Sequence, residues 1–388
     1  MKYRILGRTG IKVSEIALGC EGFVNKSIDE VKLFVDKAYE NGINFIDFYS
    51  SNPNAREAFG KAIEGKREQW IIEGHLCTIW KNNQYLRTRK IDEVKEGFID
   101  LLKRLQTNYI DVGMIHYIDA ESDFNNVFNG EIIEYALELK KQGIIKHLGI
   151  SSHNPDIAIK AVKTGLIDVI LFSINPCYDM LPPSEEVDDL WDDKNYEKPL
   201  VNIDPVRQEL YELCQSQGVA ITVMKAFGGG DLLDEKLSPF KVKMTPLQCI
   251  HYSLTRPIAW TLSKTLEVEE VLKCLETAKR RRKTANPVVI QSDRGVHYTS
   301  QKYKELTKGM ICSYSGKGNP WDNACIESYH SLIKREWLNR FRIKNYNQAY
   351  QLVFEYLEGF YNTVRIHSHC EYLSPNEYES RYILDETN

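Results

Sequence analysis

At 388 residues the chain has room for two domains, or for one barrel and a smaller unit, and its 43% hydrophobic and 27% charged content is that of a globular protein. No run approaches the roughly 18 apolar residues of a membrane helix, and the start, Met1-Lys-Tyr-Arg-Ile-Leu-Gly7, lacks a signal sequence's apolar core, so a cytoplasmic protein is expected. Nine scattered cysteines with no Cys-x-x-Cys pair argue against a disulfide framework or thiolate metal site, and the net charge of −4 joins an acidic portion, to about residue 257, with a basic remainder.

A hairpin-like start over residues 3–13 leads into β-type apolar runs at 15–18, 43–48, 70–73, 110–115, 146–151, 169–174 and 220–225. Amphipathic helical patterns lie between them at 31–41, 91–105, 131–141, 157–164 and 206–217, and a last one follows at 247–254. Ser27-Ile-Asp-Glu30 has capping-box form, in which hydroxyl and carboxylate satisfy free backbone amides reciprocally. Asn154-Pro155, Asp204-Pro205 and Thr245-Pro246 each put an N-cap residue before a proline, which the first helical turn accepts because it needs no amide partner there. Gly42, Gly143, Gly165 and Gly218 fall where helices end in the left-handed conformation. Seven largely apolar, β-branched strands alternating with helices predict an α/β fold, a parallel (β/α)8 TIM barrel whose eighth unit is missing or replaced.

Tyr3-Arg-Ile-Leu-Gly-Arg-Thr-Gly10, Gly42-Ile-Asn-Phe-Ile-Asp47, Tyr109-Ile-Asp-Val-Gly-Met-Ile-His116 and Ile145-Lys-His-Leu-Gly-Ile-Ser-Ser152 together resemble an aldo-keto reductase over about residues 1–257. The resemblance implies a barrel that binds NADPH at the C-terminal ends of its strands and passes hydride to a small-molecule carbonyl, whose oxygen an acid protonates. It implies a catalytic Asp, Tyr, Lys and His. Asp47 and His116 match, whereas Asn52 stands at the Tyr position and His75 at the Lys position. Asn cannot act as an acid at neutral pH and a histidine can, so His75 or His116 is the expected donor, with Tyr49 a weaker candidate because its side chain is expected to point elsewhere. The plainer alternative is that Asp47 caps a loop and the histidines are structural. For the cofactor, the resemblance implies Ser151, Ser152 and Asn175 near the nicotinamide. It also implies the loop Lys225, Phe227, Gly228 and Gly229 near the pyrophosphate, where backbone amides can approach phosphate.

From about residue 258 the sequence changes character. Residues 259–264 are strand-like and 268–277 form an amphipathic helix running into the basic run Lys279-Arg-Arg-Arg-Lys283. Residues 287–290 predict a short buried strand ending near Asp293, and Glu327 lies on a long helical pattern. Gly318-Asn-Pro-Trp-Asp-Asn-Ala-Cys-Ile-Glu327 and Phe360-Tyr-Asn-Thr-Val-Arg-Ile-His367 resemble the catalytic core of insertion-sequence transposases of the retroviral-integrase kind. That implies a partial ribonuclease-H-like α/β fold with C-terminal helices, in which Asp293 and Glu327 match two of the three carboxylates that hold Mg2+. The strand carrying the first Asp has no match in the chain, so transposase activity is not expected. Nonspecific DNA contact through Arg335, Arg340 and Lys344 stays open.

The expected layout is a barrel over 1–257, a seam over 258–284 and a truncated integrase core over 285–388. The seam could supply the eighth strand at 258–262 and a following helix, with Lys264 near the adenosine phosphate. Competing expectations are a fusion product without function and a DNA-binding module carried on a reductase-like body.

Overall fold

The computed structural model describes residues 1–197, 203–240, 243–254, 267–281, 289–315 and 324–378. Contacts group the chain into two compact units, the first running to Gly229 and the second from Gly230 onward.

The first unit opens with an antiparallel hairpin of β1 (Tyr3–Ile5) and β2 (Lys12–Ser14). In order follow β3 (Leu18–Gly19), α1 (Ile28–Glu40), β4 (Phe45–Phe48), α2 (Pro53–Ala62) and β5 (Ile71–Leu76). A second hairpin, β6 (Thr78–Lys81) and β7 (Gln84–Arg87), precedes α3 (Ile91–Arg104), β8 (Ile110–Ile115), α4 (Glu121–Phe128) and α5 (Glu131–Lys141). The unit continues through β9 (Ile145–Ser152), α6 (Pro155–Lys163), β10 (Val169–Ser173), α7 (Pro205–Gln217) and β11 (Ala220–Met224). Seven strands form one parallel sheet in the order β3-β4-β5-β8-β9-β10-β11, the winding of a (β/α)8 barrel. The eighth strand expected over 258–262 lies outside the described residues.

Strand periodicity builds the interior. Alternate residues face the barrel axis, and the lowest layer is apolar: Phe45, Val112, Met114, Val169, Leu171 and Ala220 pack with Leu6 and Val13, which the N-terminal hairpin brings beneath them. Met114 fits because its neighbour is Gly149, where an added Cβ would lie 2.2 Å from the Met114 sulfur and 2.7 Å from the Val169 carbonyl oxygen. The expected caps are formed. Ser27 and Glu30 close a capping box on α1, and Asn154 and Asp204 accept from amides of the first turns of α6 and α7.

Two elements go beyond the apolar pattern. Asn52, expected as a departure from a catalytic tyrosine, is the N-cap of α2, its Oδ1 accepting from the Ala55 amide at 3.0 Å with Pro53 behind it. Hairpin β6–β7 turns on Asn82 and Asn83, both left-handed at φ 53° and 58°, which is the requirement of a two-residue type I′ turn.

In the second unit come α8 (Pro246–Leu254), α9 (Val268–Arg281), β12 (Val289–Ser292), α10 (Gln301–Leu306), β13 (Ile311–Tyr314), α11 (Ala324–Glu336) and α12 (Tyr346–Tyr356). Strands β12 and β13 pair in parallel. The strand expected to be buried is not: Val289 and its register partner Ile311 are both exposed, because a two-stranded sheet has little to cover its faces. Helix α8 packs on α12, with the Tyr252 and Phe354 rings 5.5 Å apart. Glu336 ties α11 to the segment that follows α12, accepting from the Arg365 guanidinium at 2.8 and 2.9 Å and from the Tyr356 hydroxyl at 2.7 Å. Among the described residues no helix is long and apolar enough to cross a membrane.

Candidate active site

The inward parity that fills the barrel floor with apolar side chains also sets the polar layer above it. Counting on in twos from Phe45, Ile71 and Val112 reaches Asp47 and Tyr49 on β4 and its loop, Glu73 and His75 on β5, and His116 just after β8. Apart from Glu73, which lies in mid-strand, these residues lie at the C-terminal ends of the strands, where barrel sites are built. Asp47, His75 and His116, predicted separately, prove to be one structure. His75 Nε2 lies 2.9 Å from Asp47 Oδ1, and its Nδ1 lies 2.7 Å from Nδ1 of His116. The far nitrogen of His116, Nε2, meets the Tyr85 hydroxyl at 2.6 Å.

Proton positions follow from these contacts once Asp47 is taken as ionised and both rings as neutral. His75 Nε2–H donates to Asp47, so His75 Nδ1 is a bare acceptor. His116 Nδ1–H must then donate to it, leaving His116 Nε2 to accept from Tyr85 O–H. His116 is held well below its ordinary value of 6.5, first by burial and then by the neighbouring His75, which favours this neutral arrangement. The Tyr85 phenol is pushed up to about 12, chiefly by desolvation. The residue is 39% exposed, and it forms the outer end of the chain of hydrogen bonds.

Around this chain the fold is braced. The Arg89 guanidinium donates to the carbonyls of His116 at 2.9 Å and Tyr117 at 2.7 Å while paired with Asp123 at 2.7 Å. Contrary to the sequence expectation, Tyr49 does not point elsewhere; its ring stacks on that of His116, centroids 6.2 Å apart and planes 9° from parallel. One layer below, fully buried Glu73 accepts from the Thr222 hydroxyl at 3.0 Å. Its carboxyl is raised well above 4.5, first by burial and then by the Asp47 charge, which favours the protonated form.

The residues expected around a cofactor divide into two sets. Ser151, Ser152 and Asn175 are buried, and their polar atoms brace the strand ends. Ser151 Oγ accepts from the Tyr117 amide at 2.7 Å, and Ser152 Oγ donates to Asp119 at 2.9 Å. Asn175 Oδ1 accepts from the Cys177 and Tyr178 amides while its Nδ2 donates to the Lys225 carbonyl. His153, absent from the sequence reading, joins this brace through Asp119 at 2.8 Å. Burial alone would raise Asp119, but hydrogen bonds from His153 and Ser152 outweigh it and hold the carboxyl below its usual range.

Lys225, Phe227, Gly228 and Gly229 form the second set, on the loop after β11. Lys225 is left-handed at φ 56° and sets its ammonium 4.6 Å over the Trp191 ring, where burial lowers its pKa. Gly229 is also left-handed, and a Cβ there would approach the indole nitrogen of Trp191 to 3.2 Å, so the backbone lies close against that ring. Lys264 lies outside the described residues. In the second unit, exposed Asp293 accepts from the Gly295 amide at 2.7 Å, and Glu327 falls in the first turns of α11. Among the described residues no group of three or more His, Cys, Asp or Glu could hold a metal ion.

A parallel barrel with its polar groups gathered at the C-terminal strand ends is an enzyme architecture of wide use. Comparison with known proteins narrows the class. The aldo/keto reductase family model matches residues 15–286, and the chain belongs to that family. The match runs past residue 257, through the expected seam. The integrase core domain model matches residues 308–375, so a reductase domain is fused here to an integrase-like segment.

The chain is similar to the transposase of insertion sequence element IS904 from Lactococcus lactis subsp. lactis (strain IL1403), 34% identical over 124 residues, 31% of this chain and 49% of that protein. It is also similar to the uncharacterized oxidoreductase YqkF of Bacillus subtilis (strain 168), 30% identical over 181 residues, 45% of this chain and 56% of that protein. The chain thus spans about half the length of these curated relatives. Among solved structures, the holo form of aldo-keto reductase AKR11C1 from Bacillus halodurans is 21% identical with a TM-score of 0.47, covering 81% of this chain and 98% of that one.

Proposed function

We propose that the first unit is an oxidoreductase that moves hydride between NADPH and a small-molecule carbonyl or alcohol, with Asp47, His75 and His116 handling the accompanying proton. The observation that carries this reading is the unbroken line of hydrogen bonds from Asp47 through His75 to His116 at the functional end of the barrel. Asp47 fixes the tautomer of His75 and stabilises it when charged, and His75 in turn fixes His116. His75 is fully buried, which excludes water from its nitrogens, while His116 beside it is half-buried.

The chain's own residues fit the cofactor at one end. The Lys225 ammonium, on a glycine loop whose Gly229 backbone lies close against Trp191, offers a cation to phosphate, while the Gly228 amide is turned back onto the Lys225 carbonyl at 2.8 Å. Phe227 lies on the same loop. Ser151, Ser152 and Asn175 shape the wall of the nicotinamide position rather than reaching toward it. The cofactor's contribution is the hydride.

For the second unit, Asp293 and Glu327 stand at two carboxylate positions of the integrase pattern and are the residues that would hold Mg2+ there. Its integrase-core match supports weak, salt-sensitive DNA contact through Arg335, Arg340 and Lys344.

The test mixes full-length protein with NADPH and para-nitrobenzaldehyde and follows the loss of NADPH absorbance. The reading expects turnover that falls about a hundredfold in His75→Gln, which cannot carry the proton. Turnover equal in the two proteins would sink it.

A further inference from the structure

We infer that Tyr85, carried on the hairpin of β6 and β7, delivers the proton to the substrate oxygen, a role that rests on the oxidoreductase reading above. In the chain Asp47–His75–His116–Tyr85 both nitrogens of both histidines are engaged, at 2.9, 2.7 and 2.6 Å. Neither ring can meet a substrate oxygen without breaking one of these bonds. The phenol differs. It ends the chain, and it sits on a residue 39% exposed. Of the other tyrosines beside His116, Tyr49 lies with its ring stacked against the face of His116, and Tyr117 has its ring under the Arg87 guanidinium.

The hydrogen bonds also supply a way to recharge the phenol. In the neutral chain every donor points inward, Tyr85 to His116 to His75 to Asp47. One added proton on His75, beside the Asp47 carboxylate, reverses the outer part. His75 Nδ1–H then donates to His116 Nδ1, His116 Nε2–H donates to the Tyr85 oxygen, and the Tyr85 O–H is released to face outward. In the reduction, the carbonyl carbon receives hydride with its electron pair from a reduced nicotinamide, which becomes the oxidised cation. The C=O π bond breaks onto oxygen, and that oxygen takes the Tyr85 proton. Tyr85 regains a proton from His116 Nε2, and His116 Nδ1 takes one from His75 Nδ1. His75 ends neutral, still donating to Asp47, and one proton from solvent resets the chain. The oxidation of an alcohol runs the same steps backward.

The hairpin is built to hold the phenol in place. Its type I′ turn at Asn82 and Asn83 sets the register that pairs Tyr85 with Trp80 and Arg87 with Thr78. Arg87 donates to the Tyr117 carbonyl at 3.1 Å and lies 4.4 Å over the Tyr117 ring, while Arg89 grips the His116 carbonyl. The strand that presents Tyr85 is therefore tied to the loop that presents His116.

The experiment compares full-length wild type, Tyr85→Phe and Tyr49→Phe with NADPH and para-nitrobenzaldehyde, measuring kcat, KM and the Kd for NADPH by nicotinamide fluorescence. Tyr85→Phe removes one oxygen and keeps the ring. The expected result is a fall in kcat of about a hundredfold or more in Tyr85→Phe, an unchanged Kd for NADPH, and a much smaller fall in Tyr49→Phe. Wild-type turnover that survives in Tyr85→Phe, or that is lost at least as severely in Tyr49→Phe, overturns the assignment of Tyr85 and leaves the oxidoreductase reading standing. A wild type that neither binds NADPH nor reduces the aldehyde overturns that reading, and this inference with it.

Discussion

Glu73 offers a stability test of the barrel interior that does not depend on turnover. Its carboxyl is fully buried, raised well above 4.5 by burial and by the Asp47 charge, and hydrogen-bonded to Thr222. A carboxyl bound more tightly to its proton in the folded state makes a contribution that is fully present below the unfolded value. That contribution is lost progressively as pH rises from there through the folded value. Within that window the native state holds one more proton than the unfolded state, and stability falls by about 1.4 kcal/mol per pH unit. Glu73→Gln keeps the shape and the acceptor for Thr222 and has no proton to hold. The variant should therefore gain on the wild type by about 1.4 kcal/mol for each pH unit above the unfolded value. The assay is hydrogen–deuterium exchange of peptides covering Ile71–Leu76, compared between the two proteins at matched pH from about 5 to about 8, so that the intrinsic exchange chemistry cancels. A difference that stays flat with pH would show that Glu73 is ionised in the fold and would refute the reasoning.

Three further outcomes follow from particular residues. Asn52→Ala removes the α2 N-cap and should lower stability by about 1 kcal/mol while leaving kcat and KM unchanged, measured by thermal unfolding and steady-state kinetics; a loss of kcat would place Asn52 in the chemistry instead. Gly149→Ala forces a methyl to within 2.2 Å of the Met114 sulfur and 2.7 Å of a carbonyl, and should destabilise the barrel by about 1–3 kcal/mol or more, seen as a lowered Tm. DNA retardation by the full chain on native gels should vanish with modest added salt, as for contact through phosphates; salt-resistant, sequence-selective retardation would contradict it.

Much of this architecture is legible in the sequence, for identifiable reasons. The barrel strands are buried on both faces, so they stand out as apolar runs, and helix starts such as Ser27 and Asn154 announce themselves through caps that work locally. Asp47 and His116 are legible through the resemblance of the motifs that end in them, which puts both at strand ends. The pairing of His75 with His116 is not, since it joins residues 41 apart through side-chain rotamers that no local pattern encodes. Helix α2 hides because it is short and begins at Asn52, a position that draws attention for a different reason. Hairpin β6–β7 escapes an apolar-run search because Trp80 and Tyr85 alternate with Lys81 and Gln84; the signal that finds it is Asn82-Asn83 between two β-prone segments. Missing that turn also hides Tyr85, the outer end of the site.

The central claim is that the first unit forms a cofactor-competent reductase site in the fused chain. Titrating full-length protein with NADPH and following nicotinamide fluorescence tests it most directly. The account predicts saturable binding at one NADPH per chain, weakened in Lys225→Ala. Folded protein that shows no saturable binding would contradict it.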